Sequence, residues 1–121
     1  MSENIIKSKS FRFALHIMSL YKHLIAEKEY ILSKQLLRSG TSIGANVQEA
    51  LAAQSRKDFL HKMAIASKEA RETVYWLELL KASEWLTLDL QESLKLADEL
   101  VKLLTAIVKT TSWRDQLKIK N

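Results

Sequence analysis

The chain has no cysteine, no proline and only two glycines in 121 residues. Without cysteine there is no disulfide framework, no thiolate metal site and no cysteine nucleophile. A chain that lacks proline and nearly lacks glycine has few of the residues that turn one strand into the next, so a β-sheet is disfavoured. These absences predict an all-α protein, and the missing cysteine fits a reducing cytoplasm.

Long apolar runs are also missing. The opening MSENIIKSKS lacks the apolar segment of a secretion signal, and no apolar stretch approaches the roughly 20 residues that span a bilayer. We therefore expect a cytoplasmic protein without a membrane partner. A hydrophobic content of 47% in this length predicts one domain over residues 1–121, with a core that needs neither metal nor cofactor.

Apolar periodicity predicts four helices, and the short turns between them require each helix to lie antiparallel to the next. The expected fold is an antiparallel up-down-up-down four-helix bundle. Ser55 followed by Asp58 resembles a capping box and marks the start of the third helix. The expected helices span residues 10–25, 29–53, 56–84 and 89–112, with a frayed basic tail over 113–121.

The first and fourth helices each carry two apolar seams, which is more than one interior requires. In the first helix, one seam begins at Phe11 and includes Met18, and the other begins at Phe13 and includes Ile17. Monomeric proteins rarely expose so large an apolar surface. The doubled seams therefore predict a homo-oligomer.

Residues 35–50, QLLRSGTSIGANVQEA, carry a polar stripe beside their apolar one. Gly40 and Gly44 lie one turn apart in this helix, where each costs about 1 kcal/mol relative to alanine, so we expect a closely packed neighbouring helix. Antiparallel packing about the 54–55 turn brings Arg38 opposite Glu69 and Glu72, and a guanidinium inside a bundle needs such a partner. We expect a register-setting polar network of Gln35, Arg38, Ser42, Asn46, Glu49, Glu69 and Glu72.

The net charge of +5 is concentrated at the two ends of the sequence. Residues 1–24 have four basic side chains and one acidic side chain, and residues 113–121 have three basic side chains and one acidic side chain. The aromatic residues are not interleaved with the basic ones, so nucleic-acid binding would rest on the phosphate backbone. The candidate binding residues are Lys7, Lys9, Arg12, Arg56, Lys57, Arg114, Lys118 and Lys120.

No catalytic or metal-binding constellation is predicted. A di-iron bundle needs several carboxylates and two Glu-x-x-His motifs, and the chain has a single Asp58-x-x-His61. One alternative to a binding function is a ribonuclease, because Arg56 and His61 have the Arg-x-x-x-x-His spacing that resembles the HEPN ribonuclease motif, although Lys57 departs from it. Another alternative is a purely structural protein–protein interaction module.

The stretch from Gln35 to Ala50 closely resembles the signature of the bacterial four-helix-bundle family named for proteins encoded in 23S rRNA intervening sequences. The family pattern, similar to Q-L-x-R-A-x-x-S-I-x-x-N-I-x-E-G, has a glycine where Ala50 stands, and the first turn lacks the proline often present. Ser10-Phe11 and the run from Ala66 to Glu72 resemble other parts of the family pattern. The matched signature residues are Gln35, Leu36, Arg38, Ser42, Ile43, Asn46 and Glu49.

This resemblance implies a bundle that assembles into a ring, a homopentamer, without enzymatic activity. It also implies relatedness to the accessory variability determinant protein of diversity-generating retroelements, whose basic ring is associated with reverse transcriptase and nucleic acid. The sequence-based hypothesis is a non-enzymatic, ring-forming bundle that binds RNA or DNA and scaffolds a partner protein such as a reverse transcriptase.

Overall fold

The computed structural model describes the backbone of residues 2–120 and the side chains of residues 5–117. Four helices fill this span: α1 (Ser2–Ala26), α2 (Leu32–Leu51), α3 (Arg56–Ser83) and α4 (Gln91–Lys120). No strand occurs between residues 2 and 120. The predicted all-α class is confirmed.

The contacts between helices show their relative directions. In the α1–α2, α2–α3 and α1–α4 pairs, residue numbers rise along one helix as they fall along the other, which is the sign of antiparallel packing. It follows that α4 is also antiparallel to α3. α2 contacts α1 and α3, and α4 contacts α3 and α1, so α1 and α3 lie on one diagonal. The polar contacts that show these directions are Lys9–Glu99, His16–Ser93, Ser39–Thr73 and Glu49–Lys62.

α1 begins at Ser2, so the predicted start at residue 10 is wrong. Ile6 and Ser10 are both buried and extend the core stripe of Phe13 and Ile17 towards the N-terminus. The Ser10 hydroxyl donates to the Lys7 carbonyl inside the helix and does not cap it. Burial against neighbouring helices extends a helix beyond the point where local signals would start it.

The starts of α2 and α4 also differ from the prediction by a few residues. Glu29 is the expected first residue of α2, but the helix begins at Leu32. The Glu29 carboxylate precedes the helix and accepts a hydrogen bond from the backbone N–H of Ser33, at 2.6 Å. Asp89 likewise accepts from the backbone N–H of Gln91. Both acids satisfy helix N-terminal donors from outside the helix, which delays each start by two or three residues.

The start of α3 agrees with the prediction, since the Ser55 hydroxyl accepts from the backbone N–H of Asp58 at 3.0 Å. The end of α4 does not. The expected frayed tail over 113–121 is helical as far as Lys120. An ion pair between Asp115 and Arg56, at 3.5 Å, attaches this segment to the start of α3.

The two seams of α1 have different environments. Phe13 and Ile17 belong to the common core. Phe11, Leu15 and Met18 lie on the outside and are 50–60% exposed. We call these three residues the α1 face. In α4, by contrast, both seams are half-buried or buried against the core.

The two glycines of α2 lie against α1. A Cβ atom at Gly40 would be 2.9 Å from side-chain carbons of Ile17, and one at Gly44 would be 3.3 Å from the Ser10 carbonyl oxygen. These distances are at or below ordinary carbon contacts, so the missing side chains allow the two helices to approach. The close packing expected from the sequence is therefore provided by α1.

No helix in the described part of the chain has both the length and the hydropathy needed to cross a membrane.

Candidate nucleic-acid interface

The antiparallel topology brings distant parts of the sequence to one end of the bundle. The first half of α1, the second half of α2, the first half of α3 and α4 from residue 97 onward share this end, together with the α2–α3 turn. We call it the basic end, and it comprises residues 5–13, 44–67 and 97–117. The opposite half comprises residues 14–43 and 68–96.

The net charge is divided unequally between these two halves. Between residues 5 and 117, the basic end has nine Lys and Arg against five Asp and Glu, a net charge of +4. The opposite half has eight against eight, a net charge of zero. All of the excess positive charge in this span therefore lies at one end, which is the distribution that attracts polyanions.

The candidate binding residues with described side chains all lie at the basic end. Lys7, Arg12 and Lys57 are exposed and make no ion pair with another residue of the described span. Lys9 is 3.4 Å from Glu99, and Arg56 pairs with Asp115. The predicted binding residues Lys118 and Lys120 lie outside the residues whose side chains are described.

A cleft of about 540 Å³ opens at the basic end between the start of α3 and α4. Arg56 and Arg114 line it, and Phe59 supplies an aromatic surface between α3 and α4. The aromatic residues are not interleaved with the basic ones in the sequence, so this cleft was not predicted; the residues that form it are about 50 positions apart. The remaining lining residues are Ala53, Gln54, Ser55, Leu103, Ala106, Ile107, Thr110 and Thr111.

In the opposite half, Arg38 is engaged by carboxylates. It donates to Glu69 at 2.8 Å and to Glu72, and the Trp76 indole N–H donates to the same Glu72 carboxylate at 3.0 Å. The hydrogen bond from Trp76, together with that from Arg38, lowers the pKa of Glu72, while the bond to Glu72 raises the pKa of Arg38. The pairing that the sequence argument proposed for Arg38 is present, and the charge of Arg38 is neutralised locally.

The other expected members of the polar network are arranged differently. Glu49 reaches α3 through Lys62 at 3.4 Å, whereas Ser42 and Asn46 donate to backbone carbonyls within α2. Gln35 is exposed and makes no side-chain hydrogen bond within the described part of the chain. The buried polar contact between α2 and α3 is a pair that the sequence did not single out, Ser39 and Thr73, whose hydroxyl oxygens are 2.8 Å apart. The short side chains of Ser39 and Thr73 are not part of a periodic polar pattern that would have predicted their contact.

Arg56 and His61 are both exposed on α3. Five residues along an α-helix correspond to about 140° around its axis, so the two side chains leave the helix in different directions. Arg56 lines the cleft and His61 does not. Among the residues whose side chains are described, no group of three or more His, Asp or Glu side chains is arranged to hold a metal ion.

The fold and the charge distribution together define a small all-α bundle with one basic end. The 23S rRNA-intervening sequence protein family matches residues 2–106, and the chain belongs to that family. It is also similar to a crystal structure of a protein of unknown function from the S23 ribosomal protein family of Bacteroides thetaiotaomicron VPI-5482, with 51% identity and a TM-score of 0.86. That similarity covers 90% of this chain and 99% of the other. No protein with a curated functional description matches the chain.

Proposed function

We propose that this protein is a non-enzymatic, ring-forming scaffold that binds RNA or DNA through the phosphate backbone. The observation that carries the proposal is the gathering of the excess positive charge at one end of the bundle. Exposed lysines and arginines on an otherwise compact body bind phosphates without reading sequence. The opposite half, with equal numbers of acids and bases, would be left for contacts with a partner protein.

The ring is part of the proposal because of two features. The family resemblance implies a homopentamer, and the α1 face leaves three large apolar side chains exposed on one helix. Such a face is covered in most soluble assemblies. In a closed ring, each protomer would present the same basic end, so the phosphate contacts of one protomer would be multiplied by the number of protomers.

The binding proposal is tested by the salt dependence of affinity for a labelled single-stranded RNA and a duplex of matched length, measured by fluorescence anisotropy. We expect affinity for both to fall linearly on a log–log plot against salt, with a slope of about −0.7 to −0.9 per phosphate contact. Absence of binding to either probe at low salt would overturn the proposal.

A matched pair of triple variants locates the binding surface. Lys7→Ala, Arg12→Ala and Lys57→Ala remove three exposed charges from the basic end. Control substitutions at Lys34, Lys81 and Lys95 remove three exposed charges from the opposite half. We expect the first triple variant to reduce the salt slope by about two to three per protomer engaged and the control to leave it nearly unchanged. Equal losses would show that total charge, not the basic end, determines binding.

The same samples test the remaining parts of the proposal. Intact RNA after prolonged incubation is expected, and cleavage that His61→Ala abolishes would overturn the non-enzymatic assignment in favour of a ribonuclease.

Solution mass from light scattering should exceed that of the 13.9 kDa chain and should fall to it when Phe11 and Met18 are replaced by serine. A wild-type monomer would overturn the ring.

A further inference from the structure

We propose that the cleft between α3 and α4 binds one unstacked nucleotide of a single strand, with the base inside and the adjoining phosphates on Arg56 and Arg114. This inference rests on the proposed nucleic-acid binding and adds to it a preference for single strands over duplexes. Most of the α4 residues that line this cleft come after residue 106, where the family match ends.

The dimensions and lining of the cleft fit a nucleotide. Its volume of about 540 Å³ is within the range of small-molecule sites, roughly 300–1,000 Å³. Phe59, Leu103 and Ile107 provide apolar surface from two helices, and each is only half-buried. A flat base can lie on such a surface, and stacking on an aromatic ring stabilises it whatever its sequence identity.

The two guanidinium groups indicate an anionic ligand. Arg114 has no carboxylate partner within the described span, and the Arg56 Nε lies 3.5 Å from the Asp115 carboxylate. This ion pair is too long to count as a strong hydrogen bond, so the Arg56 guanidinium has donors to offer a second acceptor. Arginine presents its donors in a planar fork that matches phosphate oxygens. An uncharged apolar ligand would leave both groups without such an acceptor.

Polar groups next to the apolar surface complete the site. Gln54, Ser55 and Thr110 line the same cleft, and their amide and hydroxyl groups both donate and accept hydrogen bonds. Base edges need such groups when the base is not paired. In a duplex the base faces are stacked and the pairing edges are occupied, so a duplex would contact only the phosphate-binding residues.

The experiment compares three probes of similar charge at fixed salt: an eight-nucleotide oligouridylate, an abasic ribose-phosphate strand of the same length, and a blunt RNA duplex. We expect the oligouridylate to bind about tenfold more tightly than the abasic strand, as stacking of one base predicts. Equal affinity for the two strands would overturn the nucleotide site while leaving backbone binding intact. No binding of any probe at low salt would overturn both proposals.

Matched variants separate the cleft from general charge. Arg114→Ala and Lys109→Ala each remove one exposed positive charge from α4, and only Arg114 lines the cleft. Ala106→Glu and Ala64→Glu each add one negative charge at an exposed position of the basic end, and only Ala106 lines the cleft. We expect Ala106→Glu to remove the tenfold preference for the base-bearing strand and Ala64→Glu to retain it. Arg114→Ala should weaken binding of both strands, because both carry the phosphates, and should weaken it more than Lys109→Ala does.

Equal effects within each pair of variants would overturn the assignment, because charge alone would then explain binding. Displacement of the oligouridylate by polyglutamate as effectively as by unlabelled oligouridylate would overturn it too, since it would identify an acidic peptide as an equivalent ligand. A change of solution mass in Ala106→Glu but not in Ala64→Glu, without any base preference in the wild type, would overturn it by showing that a second copy of the chain covers the cleft.

Discussion

The two faces of α2 achieve close packing in opposite ways. Towards α1, Gly40 and Gly44 remove side chains so that Ile17 and the backbone at Ser10 fit against the helix. Towards α3, Arg38 and Ser39 add polar groups that are matched by Glu69, Glu72 and Thr73. The α1–α2 interface depends on the missing side chains of the two glycines, and the α2–α3 interface depends on paired polar side chains.

This difference implies different responses to substitution. On the side of α2 that faces α1, any side chain added at the glycines should destabilise the protein. On the side that faces α3, removing both members of a hydrogen-bonded pair should destabilise it less than removing one member. Unfolding free energies measured by urea denaturation, at one protomer concentration, test this comparison. The concentration must be held constant because self-association contributes to the apparent stability.

The largest effect is expected from Gly40→Val. The added branched side chain would overlap Ile17, since even a Cβ atom at position 40 would lie 2.9 Å from Ile17 side-chain carbons. Overpacking of this kind costs up to about 3 kcal/mol and occasionally more. Ala45→Val introduces the same side chain at an exposed position of α2 and should cost less than about 1 kcal/mol. A gain of stability in Gly40→Val, which helix propensity alone predicts when glycine is replaced, would show that the contact with α1 does not govern position 40.

Arg38→Ala should destabilise the protein by about 1–3 kcal/mol, because it leaves the nearly buried Glu69 and the half-buried Glu72 without their charged donor. Lys34 is an exposed residue one turn earlier in α2, and Lys34→Ala should change stability by less than about 0.5 kcal/mol. Nucleic-acid affinity of the folded Arg38→Ala protein should be unchanged. Full stability with selectively lost binding would move Arg38 from the packing interface to the binding surface.

Thr73→Val should cost about 1 kcal/mol, since it removes the hydroxyl that faces Ser39 at 2.8 Å within the buried α2–α3 interface. The double variant Thr73→Val with Ser39→Ala should be no less stable than Thr73→Val alone, because no hydroxyl is then left without its partner across the α2–α3 interface. Additive losses in this double-mutant cycle would contradict the proposed tolerance to paired removal.

The smallest effect is expected from the pH dependence of the Glu72 contact. Its pKa is below the ordinary value of 4.5, owing first to the Trp76 hydrogen bond. A lowered folded-state pKa contributes stability above the unfolded value, and this contribution is lost as the pH falls through the folded value. Trp76→Phe removes part of it, so the stability difference between wild type and variant should narrow as the pH is lowered from neutral to below the ordinary carboxyl pKa. A constant difference would assign the effect of Trp76 to packing alone.

The pairing of Arg38 illustrates how far the sequence leads. Four apolar repeats and short connections predict antiparallel neighbours, and a single turn at residues 54–55 then determines which residues of α2 and α3 meet. That reasoning identifies Arg38, Glu69 and Glu72. It does not identify Trp76, because an aromatic residue at a core-like spacing gives no sign that its indole N–H will reach a carboxylate.

The ends of helices are harder to infer. Ser10 has the side chain of a helix cap, yet it is buried in the middle of α1 because Ile6 continues the core stripe before it. The segment after Trp113 has the composition of a frayed tail, yet it is helical, and Asp115 pairs with Arg56. Local signals compete with tertiary contacts at such positions, and the contacts contribute more free energy than one cap.

The sequence by itself determined the helical class and the register of α2 against α3, because periodicity and a short turn are local properties that need no knowledge of distant neighbours. Only the tertiary structure determined which helix packs against the two glycines, where the basic residues come together and which side chains line the cleft. Those features depend on non-adjacent segments lying side by side. Positive charges that are more than 100 residues apart in the chain, such as Lys7 and Arg114, lie at the same end only after the bundle has formed.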